Sequence, residues 1–436
     1  MISIPKFKRY TVWALLSLLT TFIVSSCGTS NVPKESNQTN SSGAKIEFWT
    51  MQLQPQFTDY FKNLISNFES QNPGIKVNWV DVPWAAMENK ILTAVSGKTP
   101  PDVVNLNPDF ASQLAGKNAW LDLDQKVPQE VRSSYLPNIW KSSTLNSKSF
   151  GIPWYLTTRL TIYNTDLFKQ AGISKPPVTY AELAQVAQQV REKTGKYAFF
   201  TTFSPEDSGE VLQSFVQMGV PLVDTEGKAA FNTEQGKAVF KYWVDLYKKG
   251  LLPKEVLTQG HRRGIDLFQT GETALLGTGP EFVRSISKNA PKIAAVSAVG
   301  PQISGEVGKK SVAVMNIVIP RDSKNPDGAL KFALFLTNAE NQLAFSKEAN
   351  VLPSVTKALE DTYFKDLPKE ATNIDKARVI SASQLPQAEV LTPTLKNIKL
   401  LQKTIYENLQ AAMLDQKPID KAIADAAQEW NQVVNR

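Results

Sequence analysis

The spacing of apolar residues along the first part of the chain alternates between the two-residue period of strands and the longer period of helices. From Lys45 onward it predicts strand 46–49, helix 56–70, strand 75–82, helix 84–95 and strand 102–106. Strands that alternate with helices in this way form parallel sheets with right-handed crossovers and with helices on their faces. The pattern therefore predicts an α/β lobe.

The stretch 151–164 is different, because polar and aromatic residues are mixed in a segment with strand character. β-Branched and aromatic residues favour a strand, Pro153 restricts its start, and a helical segment over 164–169 ends it. A strand buried on both faces would be nearly continuous Val, Ile and Leu. The polar and aromatic side chains in its first half instead favour the lining of a cleft. They are Trp154, Tyr155, Thr158 and Arg159.

A second set of α/β elements follows this stretch. A capping box from Thr179 to Glu182 opens a helix, and Gly250 ends a later helix over 232–249. The other predicted elements are strand 197–203, a strand and loop within 268–280, strand 311–320, a helix from 325 to 336, and helices over 395–413 and 419–434. The apolar strand 311–320 indicates that the chain returns to the first lobe.

The order of residues around the cleft-lining stretch resembles a known protein family. Pro153-Trp154, a polar spacer, Tyr163-Asn164 and then Asp166-Leu167-Phe168 resemble the inter-lobe crossover of family 1 extracellular solute-binding proteins. These are the maltose-binding-protein-like receptors of ABC importers. Other segments resemble landmarks of that family in the same order, and the resemblance spans residues 45–436. These segments are 92–104, 268–280, 332–342 and 350–353.

The resemblance implies a two-lobed, type II-like periplasmic-binding-protein fold. Each lobe would be a mainly parallel sheet flanked by helices, and hinge crossovers would join the lobes. A length of 436 residues exceeds one ordinary domain and agrees with two lobes. The expected boundaries are 45–155 and 312–353 for the N-terminal lobe, and 156–311 and 354–436 for the C-terminal lobe.

The first residues resemble a bacterial lipoprotein signal. A positively charged segment, an apolar core and a group of small residues before Cys27 follow one another in the required order. An uncleaved membrane anchor is the alternative, but the apolar core is short of the roughly 20 residues that span a bilayer. The predicted parts are a signal peptide over 1–26, the lipid-bearing Cys27 and a flexible polar tether over 27–44.

Composition excludes several other classes of protein. The chain is 20% charged and 42% hydrophobic, which is typical of globular proteins. Its net charge of +7 comes without a basic run, so we expect no nucleic acid partner. Cys27 is the only cysteine, which rules out an intramolecular disulfide and a cysteine-based metal site.

Catalytic motifs are also missing from the sequence. No GxSxG, HExxH, Walker A or GxGxxG pattern occurs. The only histidine, His261, precedes Arg262 and Arg263, and this favours an exposed basic turn over a catalytic base. Paired carboxylates could hydrolyse glycosides, but 41 acidic residues offer too many pairs to single one out. We expect no catalytic residue, no metal and no cofactor.

Sugars have weakly apolar C–H faces and hydroxyl rims, so a sugar receptor combines aromatic faces with planar polar groups. Such residues stand at the crossover and at the predicted strand ends, and those at the crossover are favoured. The candidate ligand-binding residues are Trp49, Gln52, Trp84, Asn107, Asp109, Trp154, Tyr155, Thr158, Arg159, Phe203, Gly279 and Glu281.

Structural roles compete with ligand binding at several of these positions. Trp49 and Phe203 are as compatible with a core position as with a cleft, and Trp84 could pack on the sheet. Asp109 could cap a helix, and Arg159 could form a salt bridge between the lobes. The residue after Gly279-Pro280 is Glu281, where relatives often have an aromatic residue, which leaves the second-lobe stacking partner open.

These observations favour a monomeric, non-enzymatic lipoprotein held at the outer face of the cytoplasmic membrane. It would bind a sugar, an oligosaccharide or a polyol glycoside and deliver it to ABC permease subunits. The alternatives are a receptor for glycerol-phosphate-type solutes, a sensor of the same fold and a lipid-anchored glycoside hydrolase. Arg159 is the only obvious cation among the candidates and Asp109 and Glu281 would repel an anion, so a neutral ligand is favoured over a phosphate ester.

Replacement of Cys27 by alanine tests the predicted anchor. The variant should fold normally but should incorporate no labelled palmitate, whereas the wild type should be labelled. Because one acyl chain binds a membrane only reversibly, the wild type should carry more than one chain. Equal labelling of the two proteins would refute the assignment.

Overall fold

The computed structural model of the chain describes residues 44–204, 209–395 and 397–434. They belong to one unit, Gly43–Arg436. The predicted signal peptide, Cys27 and most of the predicted tether lie outside the described residues, while Ala44, which was predicted to end the tether, is the first residue of a strand. No helix in the described part of the chain has the length and the apolar character needed to cross a membrane.

The described strands are β1 (Ala44–Met51), β2 (Ile75–Val82), β3 (Val103–Leu106), β4 (Thr144–Leu145), β5 (Lys148–Ser149), β6 (Ile152–Thr158), β7 (Leu160–Asn164), β8 (Leu275–Thr278), β9 (Ser297–Pro301), β10 (Lys310–Val318), β11 (Leu352–Pro353) and β12 (Ala388–Glu389). The described α-helices are α1 (Thr58–Gln71), α2 (Trp84–Ser96), α3 (Pro108–Ala115), α4 (Gln129–Arg132), α5 (Pro137–Ser142), α6 (Thr165–Ala171), α7 (Tyr180–Thr194), α8 (Gly209–Gln217), α9 (Glu234–Lys248), α10 (His261–Gln269), α11 (Glu281–Asn289), α12 (Pro291–Ala295), α13 (Pro326–Leu336), α14 (Ala339–Ala349), α15 (Thr356–Leu359), α16 (Asn373–Gln384), α17 (Ile398–Met413) and α18 (Ile419–Val434).

The first sheet has the strand order β11-β6-β10-β3-β1-β2, with β12 beside β10. The predicted βαβαβ unit is present, because β1 lies between β2 and β3 and is parallel to both. The returning strand β10 then runs antiparallel to β3 and to β6, which makes the sheet mixed. The predicted return of strand 311–320 to the first lobe is therefore confirmed.

The alternation of side chains along β1 explains how this sheet is covered. Ile46 and Phe48 point to one face, where they pack in a cluster with residues of α1 and α13. Trp49 and Met51 point to the other face and pack in a cluster with residues of α2 and α3. Both faces of the sheet are thus buried under helices, which is the usual arrangement for parallel strands.

The second sheet is smaller and differs from the expectation of mainly parallel strands. Its order is β8-β7-β9, and β7 is antiparallel to both neighbours. Leu160 and Ile162 of β7 pack in one cluster with residues of α11 and α16, while helices α7, α9, α17 and α18 supply most of a larger cluster. The predicted strand 197–203 is wrong, because the described residues there form only an isolated bridge from Tyr197 to Thr273.

The predicted boundary between the lobes at residues 155 and 156 is displaced. The β-segment 151–164 is divided into β6, which pairs with β10 as far as Thr158, and β7, which pairs with β8 from Leu160 onward. Arg159 alone separates the two strands. The register places the first crossover at this one residue, so residues 156–158 belong to the first sheet.

The assignment of all residues after 353 to the second lobe also needs correction. Phe364 packs in a cluster with Leu156 and Leu352 of the first sheet, and β12 pairs with β10. Between them, Ala377 of α16 packs in the cluster of the second sheet. The chain thus passes between the lobes several times before α17 and α18, since none of these short segments can bury an apolar face alone.

Phe332 of α13 offers a test of the first core. Its ring lies 5.2 Å from the ring of Phe48 and 5.0 Å from that of Phe68, and it is fully buried. Replacement by alanine should lower the free energy of unfolding by about 3–5 kcal/mol, through lost burial and the cavity that remains. The measurement is chemical denaturation, with exposed Lys331→Ala as the neighbouring control, which should change the stability little. Equal effects of the two changes would contradict this packing.

Candidate ligand-binding site

Two adjoining cavities lie between the sheets. The first, which we call the polar cavity, has a volume of about 330 Å³. Residues of both lobes line it, including Asn107 and Asp109 from the first lobe and His261 and Thr278 from the second. The crossover residue Arg159 lines it as well. A cavity of this size is within the range of small-molecule sites.

The second, which we call the aromatic cavity, has a volume of about 360 Å³. Phe57, Trp84, Tyr155, Phe282 and Phe345 supply most of its apolar wall. Trp84 belongs to the first lobe and Phe282 to the second, so aromatic rings face the cavity from both sides. The two cavities share three lining residues, Thr157, Glu281 and Phe282.

The local sequence explains why polar groups collect here. β3 ends at Leu106, and Asn107 then caps α3 by accepting a hydrogen bond from the Phe110 N–H at 2.9 Å. In the second lobe β8 ends at Thr278, and a Gly-Pro turn leads directly into α11 at Glu281. Ligand sites in α/β proteins commonly form beyond the carboxyl ends of strands, because the loops there are free of the sheet.

Arg159 is held by the second lobe. Its Nη1 lies 2.6 Å from Glu210 Oε1, and His261 Nδ1 lies 3.5 Å from the same oxygen. Thr201 donates a hydrogen bond to the other oxygen of Glu210 at 3.3 Å. His261 Nε2 is 3.2 Å from the Thr278 hydroxyl. The hypothesis of an inter-lobe salt bridge is wrong for this pair, because Glu210 belongs to α8 of the second lobe.

The carboxyl groups of the site titrate in different ways. Burial by itself raises the pKa of Glu210. The charge of Arg159, the charge of His261 when it is protonated, and hydrogen bonds from Arg159 and Thr201 outweigh burial, so the pKa lies below the ordinary value. Burial raises the pKa of Asp109. The charge of Lys399 acts to lower this pKa, and the charge of Glu88 acts to raise it further. Burial also raises the pKa of Glu281, although the hydrogen bond from its own N–H and the charge of Arg159 both act to lower it. Only Glu210 of these three is stabilised as an anion by its surroundings.

Most of the candidate residues lie on the cavity walls. Asn107, Asp109, Thr158, Arg159 and Gly279 line the polar cavity. Trp84 and Tyr155 line the aromatic cavity, and Glu281 lines both. Trp84 is 45% exposed, so its indole face is open to a ligand, whereas Asn107 and Asp109 also serve the start of α3.

Four candidates lie elsewhere. Trp154 is fully buried and stacks on Phe345 with ring centroids 4.8 Å apart, so it cannot contact a ligand directly. Trp49 and Phe203 are also buried, each in the core of its lobe. Gln52 is exposed and lines neither cavity, but its side-chain oxygen accepts a hydrogen bond from the Trp84 N–H at 3.2 Å. The contact is thus with the backbone at the start of α2 and not with a cavity.

The structure adds residues that the sequence did not single out for binding. His261 begins α10, is only half-buried and lines the polar cavity, so the exposed basic turn predicted there is wrong. Phe282 supplies the aromatic side chain of the second lobe one position after Glu281. The sequence held a signal for Phe282, because relatives often have an aromatic residue directly after Gly-Pro and Phe282 is only one position further along. No sequence signal marks Glu210 or the segment 390–394, which follows β12 and lines the polar cavity.

Two α/β lobes that enclose ligand-sized cavities at their crossover define a two-lobed solute receptor. The profile of the bacterial extracellular solute-binding protein family matches residues 54–343, and the chain belongs to this family. The predicted family resemblance and the two-lobed fold class are thereby confirmed. Within the described residues, no group of three or more His, Cys, Asp or Glu side chains is placed to hold a metal ion.

Several solved structures and curated proteins are similar to this chain. A Synechococcus sp. MITs9220 protein, provisionally named an oligosaccharide periplasmic-binding protein, is 44% identical with a TM-score of 0.84, over 89% of this chain and 99% of its own. Maltose-bound MalE3 of T. maritima is 22% identical with a TM-score of 0.73, over 89% and 100%, and supports the fold. The arabinooligosaccharide-binding protein of Bacillus subtilis (strain 168) is 23% identical, over 76% and 77%.

The ion pair of Arg159 with Glu210 predicts a pH-dependent contribution to stability. Because the pKa of Glu210 is lowered in the folded state, its contribution is present above the ordinary value of 4.5 and is lost as the pH falls through the folded-state value. Glu210→Gln should lower the free energy of unfolding at pH 7 by about 1–2 kcal/mol, allowing for solvent screening of a partly exposed pair. The difference from wild type should shrink at pH 4.

Denaturation at both pH values measures this effect. Glu226→Gln, which removes an exposed partner of Lys228, is the matched control and should change the stability little at either pH. A loss in Glu210→Gln that is as large at pH 4 as at pH 7 would show that charge pairing is not the cause.

Proposed function

We propose that this protein is the substrate-binding component of an ABC importer for a neutral sugar, oligosaccharide or polyol glycoside. The observation that carries the proposal is the pair of adjoining cavities between the lobes, where aromatic faces stand beside planar polar side chains. Trp84 and Phe282 offer apolar faces from opposite lobes, and Asn107, Asp109 and Glu281 offer polar groups. Sugars need this combination, because they present both C–H faces and hydroxyls.

The charges around the cavities favour a neutral ligand over a phosphate ester. Arg159 and His261, which line the polar cavity, both face Glu210, at 2.6 and 3.5 Å. Arg284 lines only the aromatic cavity, so the two arginines do not converge on one cavity. Asp109 and Glu281 add acidic groups to the walls. The helices α3, α10 and α11 begin at the polar cavity, but Asp109 and Glu281 place carboxyl groups in the first turns of α3 and α11. A phosphate-binding site would leave such helix N-termini free of carboxylates or gather several cations around the anion.

The names of similar proteins support the ligand class. The Synechococcus relative is provisionally named for oligosaccharides, and the Bacillus subtilis relative is named for arabinooligosaccharides. The family itself consists of solute-binding proteins, which supports a receptor and not an enzyme. Delivery to permease subunits of an ABC importer follows from the same relationship.

We also infer how the receptor is held. Lipid chains on Cys27, palmitate among them, anchor a monomeric receptor to the outer face of the cytoplasmic membrane, and the polar residues up to 43 connect it to the folded part. The order of charged, apolar and small residues before Cys27 supports this inference.

A thermal-shift screen of the fragment 44–436 tests the proposed function. The screen should contain mono- and oligosaccharides, glycosides and phosphate esters such as glycerol 3-phosphate. A compound that binds only the folded state raises the melting temperature by mass action, so at least one neutral saccharide or glycoside should do so. A response to phosphate esters alone, with affinity that falls as salt is added, would favour the glycerol-phosphate alternative. Release of a cleaved sugar would favour a hydrolase.

Trp84→Ala tests the aromatic wall. It should weaken the binding of a saccharide found in the screen by about 1–3 kcal/mol, on the order of ten- to a hundredfold, through lost apolar contact. It should leave the stability nearly unchanged, because the side chain is 45% exposed. Trp154→Ala is the contrasting variant and should lower the free energy of unfolding by about 3–5 kcal/mol.

Calorimetry and chemical denaturation of both variants separate the two roles. If Trp84→Ala binds as tightly as wild type while remaining folded, then Trp84 is not a ligand contact. The proposal that the aromatic cavity binds the sugar would then lose its main evidence.

A further inference from the structure

Glu281 carries a buried oxygen that nothing in the described protein satisfies. Its Oε2 is buried and has no hydrogen-bond partner among the described residues. The side chain lines both cavities, at the wall that they share. Buried acceptors are nearly always paired, because an unpaired one forfeits its hydrogen bonds to water.

The backbone beside Glu281 gives its carboxyl group room. A Cβ at Gly279 would overlap both carboxyl oxygens and the carbon between them. The absence of a side chain at Gly279 therefore allows the carboxyl group of Glu281 to fold back over the turn. A larger residue there would force the carboxyl group into another position.

A second unpaired acceptor lies on the opposite lobe. Asn350, at the C-terminal end of α14, is 4% exposed and lines the aromatic cavity, and its Oδ1 has no partner among the described residues. Its Nδ2 donates a hydrogen bond to the Pro280 carbonyl at 3.3 Å. This bond fixes the orientation of the amide, because a flipped amide would set two acceptors against each other.

Asn350 therefore stands next to the turn that carries Glu281, and each lobe contributes one unpaired oxygen near the shared wall. Both oxygens can only accept, unless the carboxyl group is protonated. A hydroxyl or an amine would satisfy them, whereas a phosphate or a carboxylate would be repelled. Burial also raises the pKa of Glu281, and this effect exceeds the opposing effects of the hydrogen bond from its own N–H and of the charge of Arg159.

We propose that Glu281 and Asn350 form an acceptor pair that binds a donor group of the ligand where the two cavities meet. The pair selects ligands that extend through both cavities and carry a hydroxyl or an amine at that point. This inference rests on the proposed function, and it makes the two residues determinants of specificity within the same site.

Removal of the buried charge should affect the unliganded protein and ligand binding in opposite directions. Glu281→Gln keeps the shape of the side chain and should raise the melting temperature of the unliganded protein by about 1–3 °C. A residue kept for structural reasons would lower it. Exposed Glu272→Gln is the matched control and should leave the melting temperature unchanged within about 1 °C.

Binding is measured by calorimetry with cellobiose, maltose, the diamino sugar chitobiose and glycerol 3-phosphate. Glu281→Gln should weaken the binding of any of the three sugars about tenfold or more, as should Gly279→Ala, which displaces the carboxyl group. Glycerol 3-phosphate should not bind the wild type. Tighter binding of chitobiose than of cellobiose would identify an amine as the preferred donor, and the reverse would identify a hydroxyl.

The outcomes separate this inference from the proposed function. Sugar binding that is unchanged in Glu281→Gln, or a lower melting temperature of the unliganded variant, would overturn the acceptor pair while sugar binding stands. If neither these sugars nor any saccharide or glycoside of the thermal-shift screen binds the wild type, the choice of ligand class fails. Even then, the melting temperatures of the unliganded variants test whether Glu281 lowers the stability of the protein. It does so if Glu281→Gln melts at a higher temperature than wild type while Glu272→Gln does not.

Discussion

The crossover at Arg159 is the constraint on which the arrangement of the site depends. One residue separates a strand of the first sheet from a strand of the second, so the two sheets cannot be moved apart at this point. The side chain of the same residue is fixed on the second lobe by Glu210 at 2.6 Å. The backbone of Arg159 thus joins the two sheets directly, and its side chain forms part of the wall of the polar cavity.

The aromatic residues around this crossover have two different roles: some stabilise the core of the first lobe, and others line the aromatic cavity. Trp154 and Phe345 stack inside the first lobe and hold the strand that leads to Arg159. Trp84 remains 45% exposed beside the aromatic cavity. The difference follows from position, because Trp154 lies on β6, between β11 and β10, and packs under α14, whereas Trp84 begins a helix and lines the aromatic cavity.

The polar groups of the site also have two kinds of role. Glu210 is ion-paired with Arg159 and contributes to the fold, whereas Glu281 at the shared wall and Asn350 beside it each leave an acceptor oxygen unpaired. Unpaired buried acceptors lower the stability of a protein, and sites that bind ligands commonly accept this loss. The strong aromatic cores of both lobes provide the stability that offsets it.

The sequence by itself determined the order of the main elements, the return of strand 311–320 to the first sheet and the membership of the family. These follow from local periodicity, caps and landmark order, as in the capping box at Thr179, which the structure contains as predicted. The tertiary structure decided which candidates reach the cleft. Trp154 and Tyr155 are neighbours in one strand, yet the alternation of side chains sends Trp154 into the core and Tyr155 to the cavity wall. Glu210, His261 and Asn350 meet the site only through long-range packing of separate elements, and no local pattern in the sequence records that proximity.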